Sequence, residues 1–399
     1  MKKIIALLLV LAMALSLVAC GGSSEAPKAD APAAEAPAAE APAAEAPAEA
    51  VTIKVAAIET AYGSQVWADV AAAFEAETGI KVELTTDKNL EDVLTGPMQN
   101  GEFPDVVHLA PMFYSPCGLF YNAKLFEEKG WEVPTTWDEM WALGDVAAAE
   151  GIALFTYPTT GYFDTFIPNL IASVGGTELW ESISNYEEGI WDTAEGQKVL
   201  DVIAKLATYV HPNTPAQANN QDFTKNQLMV MTNDALFMPN GTWITGEMRD
   251  AEATLENEFA WGMTAQPGFD ASAVPYAYCW FEQAWIPAAA EHIAEAEQFV
   301  AFLYSDKAAE IFAAVGAIQP IVGVAESLEG ENKVFYSIYD NGANACMGNF
   351  QAFGEIPGVT VADTFFAPID SLVSGTITIE DYAELVKTNS DLMREAKLG

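Results

Sequence analysis

Residues 51–57 read VTIKVAA, and this alternation of apolar side chains predicts a β-strand. Ser64 follows a turn and can cap an amphipathic helix. Residues 81–85 predict a second strand, residues 89–98 a second helix, and residues 103–109, FPDVVHL, a third strand apolar enough to be buried. A strand–helix–strand–helix–strand order produces a parallel sheet covered by helices. This stretch therefore predicts an α/β fold.

The alternation of strands and helices continues to the end of the chain. Thr136 and Glu139 have the spacing of a capping box, which predicts the start of a helix. Later in the chain we expect a helix over residues 192–209, one long strand over residues 276–286 and a helix over residues 378–393. The chain has 399 residues, whereas a single domain typically has about 150. We therefore expect two lobes.

The first fifty residues predict a secretion signal followed by a tether. Two lysines precede an apolar run over residues 4–15, which is too short for a membrane span of about 20 residues. The sequence LVAC at residues 17–20 resembles the bacterial lipobox, which implies a lipoprotein signal peptide over residues 1–19 and a lipidated Cys20. An ordinary secreted protein with a chance cysteine is the alternative. Residues 20–50 repeat Ala-Pro-Ala-Ala-Glu and predict an extended, charged spacer.

The chain is strongly acidic. It has 57 Asp and Glu residues against 17 Lys and Arg residues, which gives a formal net charge of −40. This excess excludes nucleic acid as the main partner, because phosphate binding needs a basic face. It also opposes docking on an anionic membrane by charge alone. The composition is otherwise that of a folded protein, with 51% hydrophobic residues, and we expect a monomer with an acidic surface.

Short segments in a fixed order link the chain to a known family. Behind the lipobox-like sequence and the spacer come AFEAETGIKV at residues 73–82, PTTWDE at 134–139, FMPNGTW at 237–243 and AEQFVAFL at 296–303. In this order they resemble the family 1 extracellular solute-binding proteins of bacterial ABC importers, the carbohydrate-binding group. EQAWIP at residues 282–287 and LFTYP at 154–158 are similar to the branch that includes N-acetylglucosamine and chitobiose binders.

The resemblance implies a two-lobed, type II periplasmic-binding-protein-like fold with the ligand between the lobes. The first lobe would take residues 51–111 and 287–325, and the second lobe residues 112–286 and 326–399. Only the connection from His108 to Leu119 separates two segments between which the family has a few dozen more residues. We therefore expect a shortened first lobe, either trimmed naturally or shortened by a deletion that impairs binding.

Few residues point to catalysis, to a metal or to a cofactor. His108, His211 and His292 are far apart and lack metal-ligand spacing. The chain has two arginines, which leaves little for clamping carboxylates or phosphates, and it has no phosphate-cradling glycine loop. We therefore expect no catalytic residue, no metal and no cofactor. A surface glycoside hydrolase stays open, because that reaction needs only two carboxylates roughly 5–9 Å apart.

Three cysteines remain after Cys20, namely Cys117, Cys279 and Cys346. An odd number cannot all pair, so a disulfide framework is not expected. These cysteines could be three buried thiols, or one pair with one thiol left over.

The candidate ligand-binding residues are aromatic and polar side chains near predicted strand ends. Sugars stack their C–H faces on aromatic rings and bond their hydroxyls to carboxylates and amides. The candidates are Tyr62, Gly63, Tyr114, Asn240, Gly241, Trp243, Trp280 and Glu282. Gly241 and Trp243 are the strongest candidates, because they match a Gly-x-Trp sequence that, in the family this chain resembles, places an aromatic ring in the cleft. A core position is the alternative for each aromatic side chain, and we expect it for Trp67, Trp137 and Trp141, which have helical spacing.

Together these features predict the substrate-binding component of an ABC importer, anchored by lipid to the outer face of the cytoplasmic membrane. A sugar or oligosaccharide would bind between lobes that close by hinge motion. The closed form would be presented to membrane permease subunits, with a cytoplasmic ATPase acting indirectly. The negative charge leaves a second binding function open, in which the ligand is a polyamine or another cation.

Overall fold

The computed structural model describes residues 51–59, 63–108, 114–219, 224–281, 284–319 and 324–398. The predicted signal peptide, Cys20, the spacer, Tyr62 and Glu282 lie outside these ranges. The strands are β1 (Thr52–Ile58), β2 (Lys81–Asp87), β3 (Val106–His108), β4 (Tyr114–Asn122), β5 (Ala153–Phe155), β6 (Ala235–Gly241), β7 (Trp261–Thr264), β8 (Tyr276–Phe281), β9 (Ala284–Trp285) and β10 (Asn344–Cys346).

The α-helices of the described residues are α1 (Gln65–Thr78), α2 (Leu90–Gln99), α3 (Ala123–Lys129), α4 (Trp137–Ala149), α5 (Phe163–Ser184), α6 (Ala194–Ala207), α7 (Thr214–Gln217), α8 (Thr224–Met231), α9 (Ile244–Glu252), α10 (Ile293–Phe302), α11 (Asp306–Ala313), α12 (Val324–Ser327), α13 (Gly330–Tyr336), α14 (Pro368–Val373) and α15 (Ile379–Glu395). Short 3₁₀ turns at Thr160–Tyr162 and Ile190–Asp192 and a π-helical turn at Ala362–Phe366 complete the helical elements.

The first sheet has the strand order β2-β1-β3-β9. β1 pairs in parallel with β2, with Thr52 opposite Lys81, and in parallel with β3, with Val55 opposite Val106. These two pairings confirm the parallel strands that the first sixty residues of the folded part predict, while β9 joins the sheet antiparallel to β3. One face of the sheet packs against α1, α10 and α11, where the ring of Phe74 lies 5.1 Å edge-to-face from that of Phe299. Each such buried ring contributes roughly 1.5–3 kcal/mol to stability.

The second sheet has the order β10-β8-β4-β6-β5, with β7 also paired to β4. Its central strand β4 runs antiparallel to β6, β7 and β8, so that Cys117 lies opposite both Gly241 and Tyr278. α5 packs across one face of this sheet, over a large apolar cluster. A second apolar cluster, with α8 and α13, covers the other face.

Two pairs of consecutive strands, β3–β4 and β8–β9, each have one strand in either sheet. β3 ends at His108 in the first sheet, and β4 begins at Tyr114 in the second sheet. The strand predicted over residues 276–286 is in fact two strands, because β8 belongs to the second sheet and β9 to the first. β9 therefore joins the first sheet although it precedes residue 287, where we had set the lobe boundary.

Two helix starts that the sequence predicts have different outcomes. The capping box at α4 is confirmed, because the Thr136 hydroxyl accepts from the backbone N–H of Glu139 at 3.2 Å and the Glu139 carboxylate accepts from Thr136 N–H at 3.1 Å. The prediction that Ser64 caps α1 is wrong. Ser64 has helical backbone angles, and its side chain makes no capping bond, so its hydroxyl does not reach the free N–H groups of the first turn.

The segment α5, in which two helices meet at a kink, is absent from our sequence predictions. Its pattern is interrupted by Pro168 in the second turn and by Gly175 and Gly176, which have non-helical backbone angles. Cys117, Cys279 and Cys346 are buried and free, which decides between the two alternatives left open for them. Among the helices of the described residues, none is both long and apolar enough to cross a membrane.

Candidate functional site

The Gly241-x-Trp243 sequence has a steric origin at the end of β6. The indole of Trp243 lies close to Gly241, and a Cβ built at Gly241 would stand 2.1 Å from a ring carbon. Any side chain at this position would push the ring away. Glycine here therefore fixes where the Trp243 ring lies, directly after the carboxyl end of a strand, where α/β proteins commonly bind ligands.

Three partly exposed rings form a surface that we call the aromatic wall, made of Tyr162, Trp243 and Trp280. The Trp243 ring lies 5.9 Å from the Tyr162 ring at an interplanar angle of 70°, and 6.5 Å from the Trp280 ring at 74°. Such T-shaped contacts are favourable for aromatic pairs. The wall thus combines one ring from the turn before α5, one from the end of β6 and one from β8.

A chain of hydrogen bonds supports the aromatic wall. The Trp243 Nε1–H donates to the Tyr162 hydroxyl at 3.3 Å, and that hydroxyl donates to the Glu247 carboxylate at 3.3 Å. Gln227 Nε2 donates to the same carboxylate at 2.7 Å. The rings are therefore held by polar groups as well as by packing.

Two carboxyl groups near the wall have raised pKa values. Burial raises the pKa of Glu247, opposed by the hydrogen bonds from Gln227 and Tyr162. Burial raises the pKa of Asp164 to about 7, and the negative charge of Asp164 in turn helps to raise the pKa of Tyr278. In the described part of the chain, the salt bridges between side chains involve neither Asp164 nor Glu247. These carboxyls therefore keep lone pairs for other partners.

The structure brings together Gly241, Trp243 and Trp280 and separates two other predicted site residues from them. Successive residues of a strand face opposite sides of a sheet. Tyr114 and Asn240 face the side opposite Trp280 and Gly241, because Tyr114 pairs with Phe281 and Asn240 pairs with Gly118.

On that opposite side, both residues have internal partners. The ring of Tyr114 packs 4.9 Å from that of Tyr336, and Asn240 is fully buried, with its side-chain oxygen accepting from the N–H of Gly241. Gly63 lies in the turn before α1 with a left-handed φ of 78° and open space around it, a conformation that favours glycine.

Sequence reasoning missed Tyr162, Asp164, Gln227 and Glu247. Tyr162 and Asp164 follow the strand β5 by a few residues, so the rule that ligands bind at the carboxyl ends of strands could have found them. Glu247 is four residues after Trp243 on α9 and therefore on the same helix face. No sequence signal distinguishes Gln227, which is fully buried.

The histidines give no sign of a metal centre. Within the described residues, no group of three or more His, Cys, Asp or Glu side chains is arranged to hold a metal ion. His108 is fully buried, its ring centroid is 4.4 Å from that of Trp67, and burial lowers its pKa to about 3. It is therefore a neutral core residue.

Comparisons with known proteins give a consistent result. A family model described as bacterial extracellular solute-binding protein matches residues 31–332. The diacetylchitobiose-binding protein NgcE of Streptomyces coelicolor is 31% identical over 47% of the chain, and a probable sugar-binding periplasmic protein of Mesorhizobium japonicum is 28% identical over 39%. These matches span 40% and 36% of the two relatives, well under two thirds of their lengths.

Solved structures show a similar fold. Ligand-free RafE of Streptococcus pneumoniae superposes with a TM-score of 0.69 at 18% sequence identity. The superposition includes 88% of the present chain and 100% of the RafE chain. MsmE of Bacillus subtilis in an open conformation gives a TM-score of 0.66 at 13% identity, covering 87% of the chain and 98% of MsmE. The α/β architecture is therefore the two-lobed fold that the sequence predicts.

Proposed function

Because the chain belongs to the bacterial extracellular solute-binding proteins, we propose that it is the binding component of an ABC importer for a sugar or oligosaccharide. The curated relatives include a diacetylchitobiose-binding protein, and RafE has been solved with raffinose bound. These relatives support a carbohydrate ligand. The protein captures its ligand and hands it to membrane permease subunits, and it catalyses no reaction on the ligand.

The aromatic wall is the observation that carries this proposal. Its three rings are partly exposed, and the apolar C–H faces of a sugar stack on such rings. The Glu247 carboxylate accepts from Tyr162 of the wall, and the charge of Asp164 acts on the same hydroxyl. Both carboxyls would accept hydrogen bonds from sugar hydroxyls. Stacking surfaces with a few placed polar groups are typical of small-molecule sites.

The two sheets suggest how the protein would close on its ligand. We assign the first sheet with α1, α10 and α11 to one lobe, and the second sheet with α5 and α6 to the other. The strand connections β3–β4 and β8–β9 and the hydrogen bond from Tyr114 N–H to Ile318 O would then lie at the hinge. Hinge closure around a ligand is a common response in two-lobed binding proteins.

The lipobox-like sequence and the spacer supply the rest of the proposal. Lipidation of Cys20 would anchor a monomer on the outer face of the cytoplasmic membrane, where the permease is within reach of the spacer. Radiolabelled fatty acid incorporation that disappears in a Cys20→Ser variant would support this anchor. Unchanged labelling would contradict it.

A thermal-shift panel tests sugar binding. Chitobiose, raffinose, N-acetylglucosamine and longer oligosaccharides are each titrated, and a true ligand raises the free energy of unfolding by about 2.7 kcal/mol at 100 times its Kd. Trp243→Ala should weaken the affinity by about tenfold or more, because a stacked ring is lost. Trp131→Ala, which removes a partly exposed indole in another part of the second lobe, should leave it unchanged. No stabilisation by any sugar of the panel would contradict the proposal.

Asp164 and Glu247, which form no salt bridge within the described residues, favour a second candidate, a cationic ligand such as a polyamine. Its affinity would fall steeply as the salt concentration rises, whereas that of a neutral sugar would not. Spermidine in the same panel, at low and high salt, separates the two. Hydrolysis of a labelled oligosaccharide by the purified protein would instead indicate a glycosidase.

A further inference from the structure

We infer that Glu247 is a positioning residue that holds the aromatic wall through the Tyr162 hydroxyl and makes sugar affinity depend on pH. This inference rests on the proposed function. In this inference Glu247 does not stack on the ligand itself. It controls how firmly the stacking rings are held.

The geometry links Glu247 to two rings of the wall. Trp243 precedes the first residue of α9, and Glu247 lies one helical turn later on the same face. Tyr162 bridges them, because its oxygen accepts from Trp243 Nε1–H while its proton goes to the Glu247 carboxylate. A phenol has one proton to give, so the acceptor at Glu247 decides which way the Tyr162 hydroxyl is oriented.

Gln227 shows that the site is built for an ionised Glu247. Its amide is fully buried, and its Nε2 donates to the Glu247 carboxylate at 2.7 Å. Its Oε1 has no hydrogen-bond partner in the described part of the structure. Two donors therefore converge on the carboxylate, and hydrogen bonds to an ionised acceptor are roughly twice as strong as those between neutral groups.

The direction of the pH effect follows from the pKa of Glu247. Burial raises that pKa, and the groups that oppose the rise, Gln227 and Tyr162, are both neutral. Of the elements that supply its surroundings, α8 carries Lys225, α5 carries Asp164, Glu178 and Glu181, and α9 itself carries Arg249, Asp250 and Glu252. As the pH falls through the raised pKa, Glu247 becomes protonated, the bond from Tyr162 weakens, and the rings lose support. Sugar affinity should therefore fall on the acid side.

Asp164 titrates in a neighbouring range and must be separated from Glu247. Its pKa is raised to about 7, and its charge also acts on the Tyr162 hydroxyl. A change in affinity with pH could therefore come from either carboxyl. Single amide substitutions distinguish them, because each removes one titration and keeps the size of the side chain.

The deciding measurement is calorimetric affinity between pH 4.5 and 8.5 for the sugar that stabilises the protein most. We expect the affinity of the unsubstituted protein to fall about fivefold across its acid step, as a charge-assisted bond becomes a neutral one. Glu247→Gln should bind about fivefold more weakly at pH 8 and show no such step. Asp164→Asn, whatever its affinity at pH 8, should keep the step. A step that survives in Glu247→Gln, or unchanged affinity of that variant at pH 8, would overturn the inference.

A second measurement needs no ligand and keeps the inference separate from the proposed function. The protein is labelled with 5-fluorotryptophan, and the Trp243 resonance is assigned by its loss in Trp243→Phe. We expect this ¹⁹F resonance to titrate with pH in the unsubstituted protein and to stay fixed in Glu247→Gln. A pH-independent resonance in both proteins would refute the positioning role. Failure of every sugar to bind would refute the proposed function alone, because this titration is read without a ligand.

Discussion

At the residue scale, the contact between Gly241 and the Trp243 ring controls the candidate site. The ring occupies the space that a Cβ at position 241 would need, at 2.1 Å from the nearest ring carbon. Real non-bonded carbons do not approach so closely, so a larger residue must displace the ring or the end of β6. Gly246, on the adjacent helix α9, has no atom within 4 Å of an added Cβ.

Because the two glycines differ in this way, alanine substitutions at Gly241 and Gly246 form a matched pair. Gly241→Ala should destabilise the protein by about 1–3 kcal/mol through overpacking and should weaken sugar binding, because the Trp243 ring moves. Gly246→Ala should stabilise it by about 0.5–1 kcal/mol, since glycine in a helix interior costs that much relative to alanine, and should leave affinity unchanged. Urea denaturation and calorimetric titration measure both effects. Equal stability of the two variants would contradict this view of the wall.

At the element scale, two helix starts that look alike in the sequence differ in the structure. The N-terminus of α4 has reciprocal bonds between Thr136 and Glu139, whereas Ser64 at the start of α1 makes no side-chain capping bond. A capping side chain satisfies a backbone N–H that has no partner within the helix. Only α4 gains stability from this source.

We therefore expect Thr136→Ala and Ser64→Ala to differ in their effect on the free energy of unfolding. Thr136→Ala should lower it by about 1 kcal/mol, the usual cost of losing a cap. Ser64→Ala should change it by less than about 0.5 kcal/mol, as for a position without such a bond. Chemical denaturation of both variants gives the comparison. A loss at Ser64 as large as that at Thr136 would show that Ser64 caps α1 in solution.

At the scale of the whole molecule, two buried titratable groups act on stability in opposite directions. The pKa of Asp164 is raised to about 7 in the folded protein, so the stability linked to its protonated form is lost as the pH rises from about 4 to 7. The pKa of His108 is lowered to about 3, so stability is lost as the pH falls below its unfolded value of about 6.5. Both groups sit in an acidic protein with a net charge of −40.

Asp164→Asn should isolate the first effect. We expect this variant to gain stability relative to the unsubstituted protein as the pH rises from 4 to 8, by about 1–2 kcal/mol at pH 8 once partial solvent access is allowed for. Asp250→Asn, at an exposed position, changes the net charge equally and should show no such trend. Calorimetric melting curves at each pH measure the difference. A constant difference across this range would show that Asp164 is ionised normally.

Much of the fold could be predicted because it depends on local pattern. The parallel pairing of β1 with β2 and β3, the capping box at Thr136 and the glycine before Trp243 all follow from residues close together in the chain. Elements whose pattern is broken were missed or misjudged, such as α5 with its internal Pro168 and the strand over residues 276–286. In that stretch the chain leaves β8 of the second sheet and enters β9 of the first, and the sequence has no glycine or proline there to mark the change.

The candidate site could be predicted only in part, because its members meet across long sequence separations. Tyr162 and Trp243 are 81 residues apart, and Gln227 reaches Glu247 from a different helix. The phase of the strands also matters. Asn240 is adjacent to Gly241 in the chain, and Tyr114 pairs with Phe281, the neighbour of Trp280. Both nevertheless face the opposite side of the sheet, since side chains alternate along a strand.

The sequence by itself determined the α/β class, the resemblance to solute-binding proteins and the acidic charge, because these depend on composition, order and short-range periodicity. Only the tertiary structure decided which side chains converge on Trp243, that the three cysteines Cys117, Cys279 and Cys346 are free, and which carboxyls have a raised pKa. Convergence and desolvation depend on distance in space. Elements remote in the chain supply the neighbours of each side chain and exclude water from it, and a local sequence pattern does not contain this information.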